Sequence, residues 1–270
     1  MTRLVLKNPL QFRLSMAGIL PQNLGSQTLS EIEKIPLLYG NRRSPLGEFF
    51  TVSKTSGSED GLEIIGDGSR MDEVAAGMIG GTVTIEGNLG HSVAAAMTGG
   101  VVTVMGSVGH GAGHGMKGGG LIISGDAGDG LGSDLNEGHG PMTGGVIRVA
   151  GKVGDQAAHR LNRGVILVGG SLGKGAATRM NGGTVVALGK IDSGLGVMSQ
   201  RGTILALGGV QSLLPSFADC GNHDLVIHRL LGQGLRQIGA EDFAARLASS
   251  ESLHRYLGDC AVAGMSEIWL

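Results

Sequence analysis

A unit of 19 residues recurs along the middle of this chain, and a repeat that short leaves few folds open. Aligned on Met-x-Gly-Gly, the units begin at Met78, Met97, Met116, Met142, Leu161, Met180 and Ser199, with intervals of 19, 19, 26, 19, 19 and 19 residues. Five residues in stand Val83, Val102, Leu121, Ile147, Ile166, Val185 and Ile204, and seven in stand Ile85, Val104, Ile123, Val149, Val168, Ala187 and Ala206. Apolar residues at five and seven, with one residue between, are the period-two signature of a strand with one buried face. A third apolar file lies eleven in, from Leu89 to Val210. Gly recurs three in (Gly81 to Gly202) and nine in (Gly87 to Gly208), where positive φ or close backbone approach excludes a side chain.

Each unit therefore reads as a strand, a Gly corner, a shorter strand and another corner. It is too short for a strand–helix–strand crossover and holds no helical period. Gly is 52 of 270 residues with only 6 Pro, so the glycines punctuate an apolar core rather than a solvated linker. Coiling in one direction, with units about 4.8 Å apart, lets each strand pair with its neighbours. The expectation is an all-β solenoid: a right-handed parallel β-helix of about seven to eight coils, counting a first coil at 61–66, on the order of 35 Å long. The hand follows the rule for parallel crossovers. A leucine-rich repeat would need a Leu/Asn pattern that is absent.

The flanks differ, which divides the chain into a cap segment at 1–60, the β-helix at 61–210 and a helical tail at 211–270. In the first, strands are expected at 3–7 and 46–52 and a short helix at 29–35. In the tail, helices are expected at 224–237, 241–248 and 252–256. Such flanks cap the open ends of a solenoid. Outward positions six and eight become apolar in the last two units, at Val186, Leu188, Leu205 and Leu207. A face that apolar calls for cover, either by the C-terminal helices, which its place in the chain favours, or by a partner protein.

Net charge is −2, which argues against nucleic acid as a partner. No stretch approaches the roughly 20 apolar residues of a membrane helix, and the N-terminal MTRLVLKNPLQFRLSM is no signal peptide. Cys220 and Cys260 form no CxxC and read as small buried thiols of a cytoplasmic protein. Gly113-His-Gly-Met-Lys-Gly118 imitates a dinucleotide fingerprint and Gly169 to Gly175 a phosphate loop. The first does not follow a strand that opens a helix, the second is one residue short of GxxxxGK with Gly where Ser or Thr would bind magnesium, and both are the repeat itself.

Thirteen in, His91 and His110 occupy adjacent units, followed by Asp129, Asp155, Lys174 and Ser193. His91, His110 and Asp129 are the candidate metal ligands, although an outward polar ladder is the expected role and no bound metal is expected. The long interval places an insertion within 131–141, holding Asp134, Asn136, Glu137 and His139, which suits a contact loop. Residues 61–141 carry nine acids and two bases, whereas 142–210 carry eight bases and two acids. Arg160 and Arg179 share one repeat position and Arg163 and Arg201 another, making these four the candidates for contact with a polyanion or acidic partner. No nucleophile–base arrangement can be argued, so no catalytic residue is expected.

The repeated Met-x-Gly-Gly-x-(Val/Ile)-x-Val-x-Gly unit resembles the β-helical domain shared by the C subunit of formylmethanofuran dehydrogenases and the C-terminal region of the glutamate synthase large subunit. Leu38-Tyr39-Gly40-Asn41-Arg42, Pro45-Leu46-Gly47-Glu48-Phe49-Phe50 and Arg255-Tyr256-x-Gly258-Asp259-x-Ala261 are similar to the former. Ser266-Glu267-Ile268 stands where that family prefers Gly-Glu-Ile, a departure that bears on the tail's backbone. A glutamate synthase would need an amidotransferase and a flavin barrel, for which there is no room. The resemblance implies a non-catalytic subunit of a hetero-oligomeric complex in one-carbon metabolism. It implies a formyltransferase/hydrolase complex that passes a formyl group from tetrahydromethanopterin to a methanofuran-type carrier and releases formate, with catalysis and cofactors on other subunits. The alternatives are the C subunit of a molybdenum or tungsten formylmethanofuran dehydrogenase and, outside the family, a standalone β-helix enzyme acting on a polyanionic substrate.

Overall fold

The computed structural model describes residues 1–56, 60–134, 140–223, 226–237, 239–249 and 252–270. The fold is mostly β, organised on one thirteen-stranded sheet that is rich in parallel pairs and not closed into a barrel. Its centre is eight strands paired in chain order and all parallel: Gly61–Ile65, Thr82–Glu86, Val101–Val104, Gly120–Ile123, Thr143–Val149, Arg163–Val168, Thr184–Ala187 and Thr203–Ala206.

Register follows the repeat. Val83 faces Val102, which faces Leu121, which faces Ile147, so the longer interval is absorbed outside the strand. Side chains five and seven in are at most 1% exposed from Val83 to Ala206. The eleven-in file forms a second set of parallel bridges, running Val108, Ala127, Val153, Leu172, Ile191 and Val210. The three-in glycines all have positive φ, from 82° at Gly119 to 115° at Gly202. The nine-in glycines answer to close approach: a Cβ at Gly106 would sit 2.6 Å from the Gly87 carbonyl oxygen.

The backbone beyond the second bridge file is less ordinary. Alternate residues there take positive φ: Ser92, Ala94 and Ala96, then Gly111, Gly113 and Gly115, and later Gln156, Ala158 and Arg160. Left-handed backbone costs a non-glycine residue roughly 1–2 kcal/mol, so repeating it at alanine requires compensation from packing. Ala94, Ala158 and Ala177 are fully buried. Where the unit has Gly113 instead, a Cβ would lie 2.4 Å from the Ile147 Cδ1. Alanine occupies this position where room remains, and glycine where a neighbour already fills it.

The flanks extend the same sheet at both edges. Thr2–Leu6 lies parallel to Gly61–Ile65 and antiparallel to Phe50–Lys54. At the far edge Thr203–Ala206 pairs with Ser266–Trp269, which pairs with Leu253–Gly258, which pairs with Ala218–His223. These additions close sheet edges that would otherwise present unpaired backbone groups. Ser199, standing where other units begin with Met or Leu, is buried and its hydroxyl meets that of Ser266 at 2.6 Å. The departure at Ser266 is thus matched by one inside the last unit.

Helices Val226–Gln237 and Glu241–Ala248 follow their amphipathic pattern. They cover the apolar outer face, where Leu167, Val186, Leu205 and Leu207 cluster with Leu235, Phe243, Leu247 and Trp269. Arg148 ties the sheet to this tail, donating to the Gly239 carbonyl and the Asp242 carboxylate, each at 3.0 Å.

Three expectations are corrected. Residues 46–52 are a helical turn, Leu46–Phe49, before the strand Phe50–Lys54, because Leu46 and Phe49 are spaced to be buried together. The tail is mixed rather than α-helical, and its expected third helix is the strand Leu253–Gly258, recruited by the open backbone of Ser266–Trp269. The thiols are not buried: Cys220 is half-exposed and Cys260 exposed, since both lie in the tail outside the repeat core.

Candidate functional site

From Asp72 to Asp155 the polar residues thirteen in form a ladder in which each side chain accepts the backbone N–H of the same position one unit on, and the ladder stops at Lys174, whose ammonium cannot accept. Asp72 accepts from His91 at 2.7 Å, His91 Nδ1 from His110 at 2.9 Å, His110 Nδ1 from Asp129 at 3.0 Å, and Asp129 from Asp155 at 2.8 Å. The rings of His91 and His110 stack with centroids 5.0 Å apart. The structure thus brings His91, His110 and Asp129 together but turns both Nδ1 atoms toward backbone donors. Among the described residues no group of three or more His, Cys, Asp or Glu is placed to hold a metal. The requirement at this position is an acceptor near the backbone, which Asp and His share and Ala lacks. His110→Ala should therefore cost about 1–2 kcal/mol in urea unfolding, and His110→Asn should recover most of it.

The basic residues assemble elsewhere, on the turn between units. Position eighteen in supplies Arg160 and Arg179, and position one in supplies Asn162, Asn181 and Gln200. The Asn181 side-chain amide donates to the Asn162 oxygen at 3.1 Å, so these side chains stack in register. Together with Asp134, Pro141, Met198 and Val262 they line an open groove of about 400 Å3. Arg160 pairs with Asp134 at 3.2 Å. Arg163, Arg179 and Arg201 make no ion pair among the described residues. Arg201 lines an adjoining hollow with Thr203, Met265 and Glu267, whereas Arg163 is exposed and lines neither.

Of the insertion, Asp134 borders this groove, while Asn136, Glu137 and His139 lie outside the described residues. His159 is next to it. Burial pushes its imidazole below the usual range, the hydrogen bond to Asp134 opposes that, and the Arg160 and Arg179 charges lower it further. Asn162, Asn181 and Gln200 were legible as amides at one repeat position where earlier units carry Ile79, Thr98, Lys117 and Thr143. Val262 was not, because it arrives from the tail.

Asp259 holds that tail wall in place. It is 2% exposed, and its carboxylate accepts the N–H groups of Met198 and Ala261, each at 3.0 Å. Burial pushes the carboxyl up, but the bonds from Ser216, Ala261 and Met198 outweigh it and hold the pKa below the ordinary value. A depressed carboxyl stabilises the fold above its unfolded pKa of about 3.9. That contribution is lost as pH falls through the lower folded value. Tail docking should hold from neutral pH to about 4 and weaken progressively as pH falls further, followed by the fluorescence of Trp269, the single Trp. Asp259→Ala should release the tail at neutral pH, at a cost of about 2–4 kcal/mol.

No protein-family model matches the chain. It is 36% identical over 87 residues to the C subunit of the molybdenum-containing formylmethanofuran dehydrogenase 1 of Methanothermobacter marburgensis, a stretch that is 32% of this chain and 22% of that relative. It is 42% identical over 59 residues to the C subunit of the formyltransferase/hydrolase complex of Methylorubrum extorquens, which is 22% of this chain and 21% of that relative. The matches thus span about a fifth of these curated relatives. Over full length, the chain superposes on one in the crystal structure of the Methylorubrum extorquens formyltransferase/hydrolase complex with methylofuran. The TM-score is 0.89 at 36% identity, across 99% of this chain and 98% of that one. With that identity across both whole chains, and with relatives that are C subunits in two kinds of complex, the chain belongs to the family of the C subunits of formyltransferase/hydrolase complexes and formylmethanofuran dehydrogenases.

Proposed function

We propose that this chain is a non-catalytic scaffold subunit of a cytoplasmic formyltransferase/hydrolase-type complex, coiled as a right-handed parallel β-helix with capping flanks at 1–60 and 211–270. The observation that carries the reading is superposition along the whole chain on a component of such a complex. Coiling is supported by the two separate files of parallel pairs that share one 19-residue register. A scaffold role is supported by the use of the polar ladder for backbone hydrogen bonding, which leaves His91 and His110 no free Nδ1. No helix among the described residues is long and apolar enough to cross a membrane.

On this reading formyl transfer between tetrahydromethanopterin and a methanofuran-type carrier, and the release of formate, take place on partner subunits. This chain binds neither metal nor organic cofactor. The molybdenum dehydrogenase relatives favour a second reading, in which the same scaffold serves a redox complex. Purification of the tagged chain from its native host, with identification of its partners and elemental analysis, tests both. Formyltransferase and hydrolase partners without molybdenum or tungsten support the first reading, and a molybdenum- or tungsten-bearing partner supports the second. Turnover by the isolated chain, or one zinc per chain lost on His91→Ala, overturns both.

A further inference from the structure

We infer that the groove carrying Arg160 and Arg179, continued by Arg201, holds an extended acidic segment of a partner polypeptide. This deepens the scaffold reading, on which it rests only for the source of the segment. Charge is the first argument. Arg179 and Arg201 are exposed and make no ion pair among the described residues, on the part of the chain where bases outnumber acids eight to two. Guanidinium forks match carboxylates with two parallel hydrogen bonds. The lining side chains of Met198, Pro141 and Val262 exclude some water, which strengthens such pairs.

Shape is the second argument. The basic residues recur from unit to unit, about 4.8 Å apart per step. The turn carrying Arg201 lies two units beyond the turn carrying Arg160, with Arg201 three residues further along the repeat, so about 10 Å of groove along the stack is spanned by roughly three residues of extended chain. The amides of Asn162, Asn181 and Gln200 run beside the arginines. Amides offer both donors and acceptors, as a peptide backbone requires. A nucleic acid would call for aromatic stacking platforms, and none lines the groove among the described residues. Asp134 already neutralises Arg160 and would repel further carboxylates at that end. The acidic stretch therefore lies over Arg179 and Arg201, where the carboxylate of the neighbouring Glu267 is already paired with Arg255.

The test titrates the full-length chain with a fluorescein-labelled acidic hexapeptide of alternating Asp and Glu, at about 50 mM and about 0.5 M salt. Binding is expected at low salt and should weaken at high salt. Arg179→Glu with Arg201→Glu should weaken it at least tenfold without lowering the melting temperature. Lys174→Glu with Lys190→Glu, an equal change of charge on another turn, should leave it within about twofold. Bound peptide should also raise the His159 titration midpoint seen by NMR, by countering the Arg160 and Arg179 field. Absence of binding, equal weakening by both double variants, or tighter binding of a single-stranded oligonucleotide of equal charge overturns the inference. A chain that binds the peptide but purifies with no partner would instead overturn the scaffold reading alone. One that assembles with partners and ignores the peptide would do the reverse.

Discussion

Val104→Asp should yield no folded chain, seen as loss of soluble protein or of a cooperative thermal transition. Val104 is fully buried and sits in register between Ile85 and Ile123. An aspartate there has no cation or donor within the apolar file, and an unpaired buried carboxyl costs several kcal/mol even after it protonates. That is a large part of the roughly 5–15 kcal/mol by which a domain is stable. Parallel pairing aggravates the loss, since a strand forced out of the file also strands its neighbours' backbone groups. Thr103→Asp, one residue away on the outer and half-exposed side, should cost only about 1 kcal/mol. Equal effects at 103 and 104 would mean that the inward assignment is wrong.

The second large effect is expected where the tail meets the sheet. Leu205 is fully buried and Leu188 half-buried beneath the C-terminal helices. Leu188→Glu with Leu205→Glu places two carboxylates against Phe243 and Leu247, so the double variant should lose docking of residues 211–270. The inward file at positions five and seven is untouched, and the far-ultraviolet sheet signal should persist. Limited proteolysis reads the outcome directly: cleavage should concentrate in the tail. A tail that stays resistant, with Trp269 still shielded, would show that the helices are held by something other than this face. The Arg148 contacts to Gly239 and Asp242 and the Arg246 bond to the Leu207 carbonyl would then be the alternative anchors.

The amino-acid order alone determined the register of the central sheet. Identical positions recur every 19 residues, and a slip by one would turn every apolar side chain outward. The same logic placed Arg160 beside Arg179 and His91 beside His110, because stacking converts sequence period into contact. It also anticipated cover for Val186 and Leu205, since an apolar outer face has to be buried by something. Other features have no local signature. The positive φ shared by Ala94, Gly113, Ala158 and Ala177 is one, and whether that position holds alanine or, as at Gly113 beside Ile147, glycine depends on the room its neighbours leave, which only packing decides. Leu253–Gly258 became a strand because an unpaired edge lay beside it, overriding a short helical reading. The groove draws Asp134 from the insertion, Val262 from the tail and Arg179 from the repeat. Residues so far apart in the chain share a site only once the tail has docked, and that docking depends on the long-range hold of Asp259 on Met198.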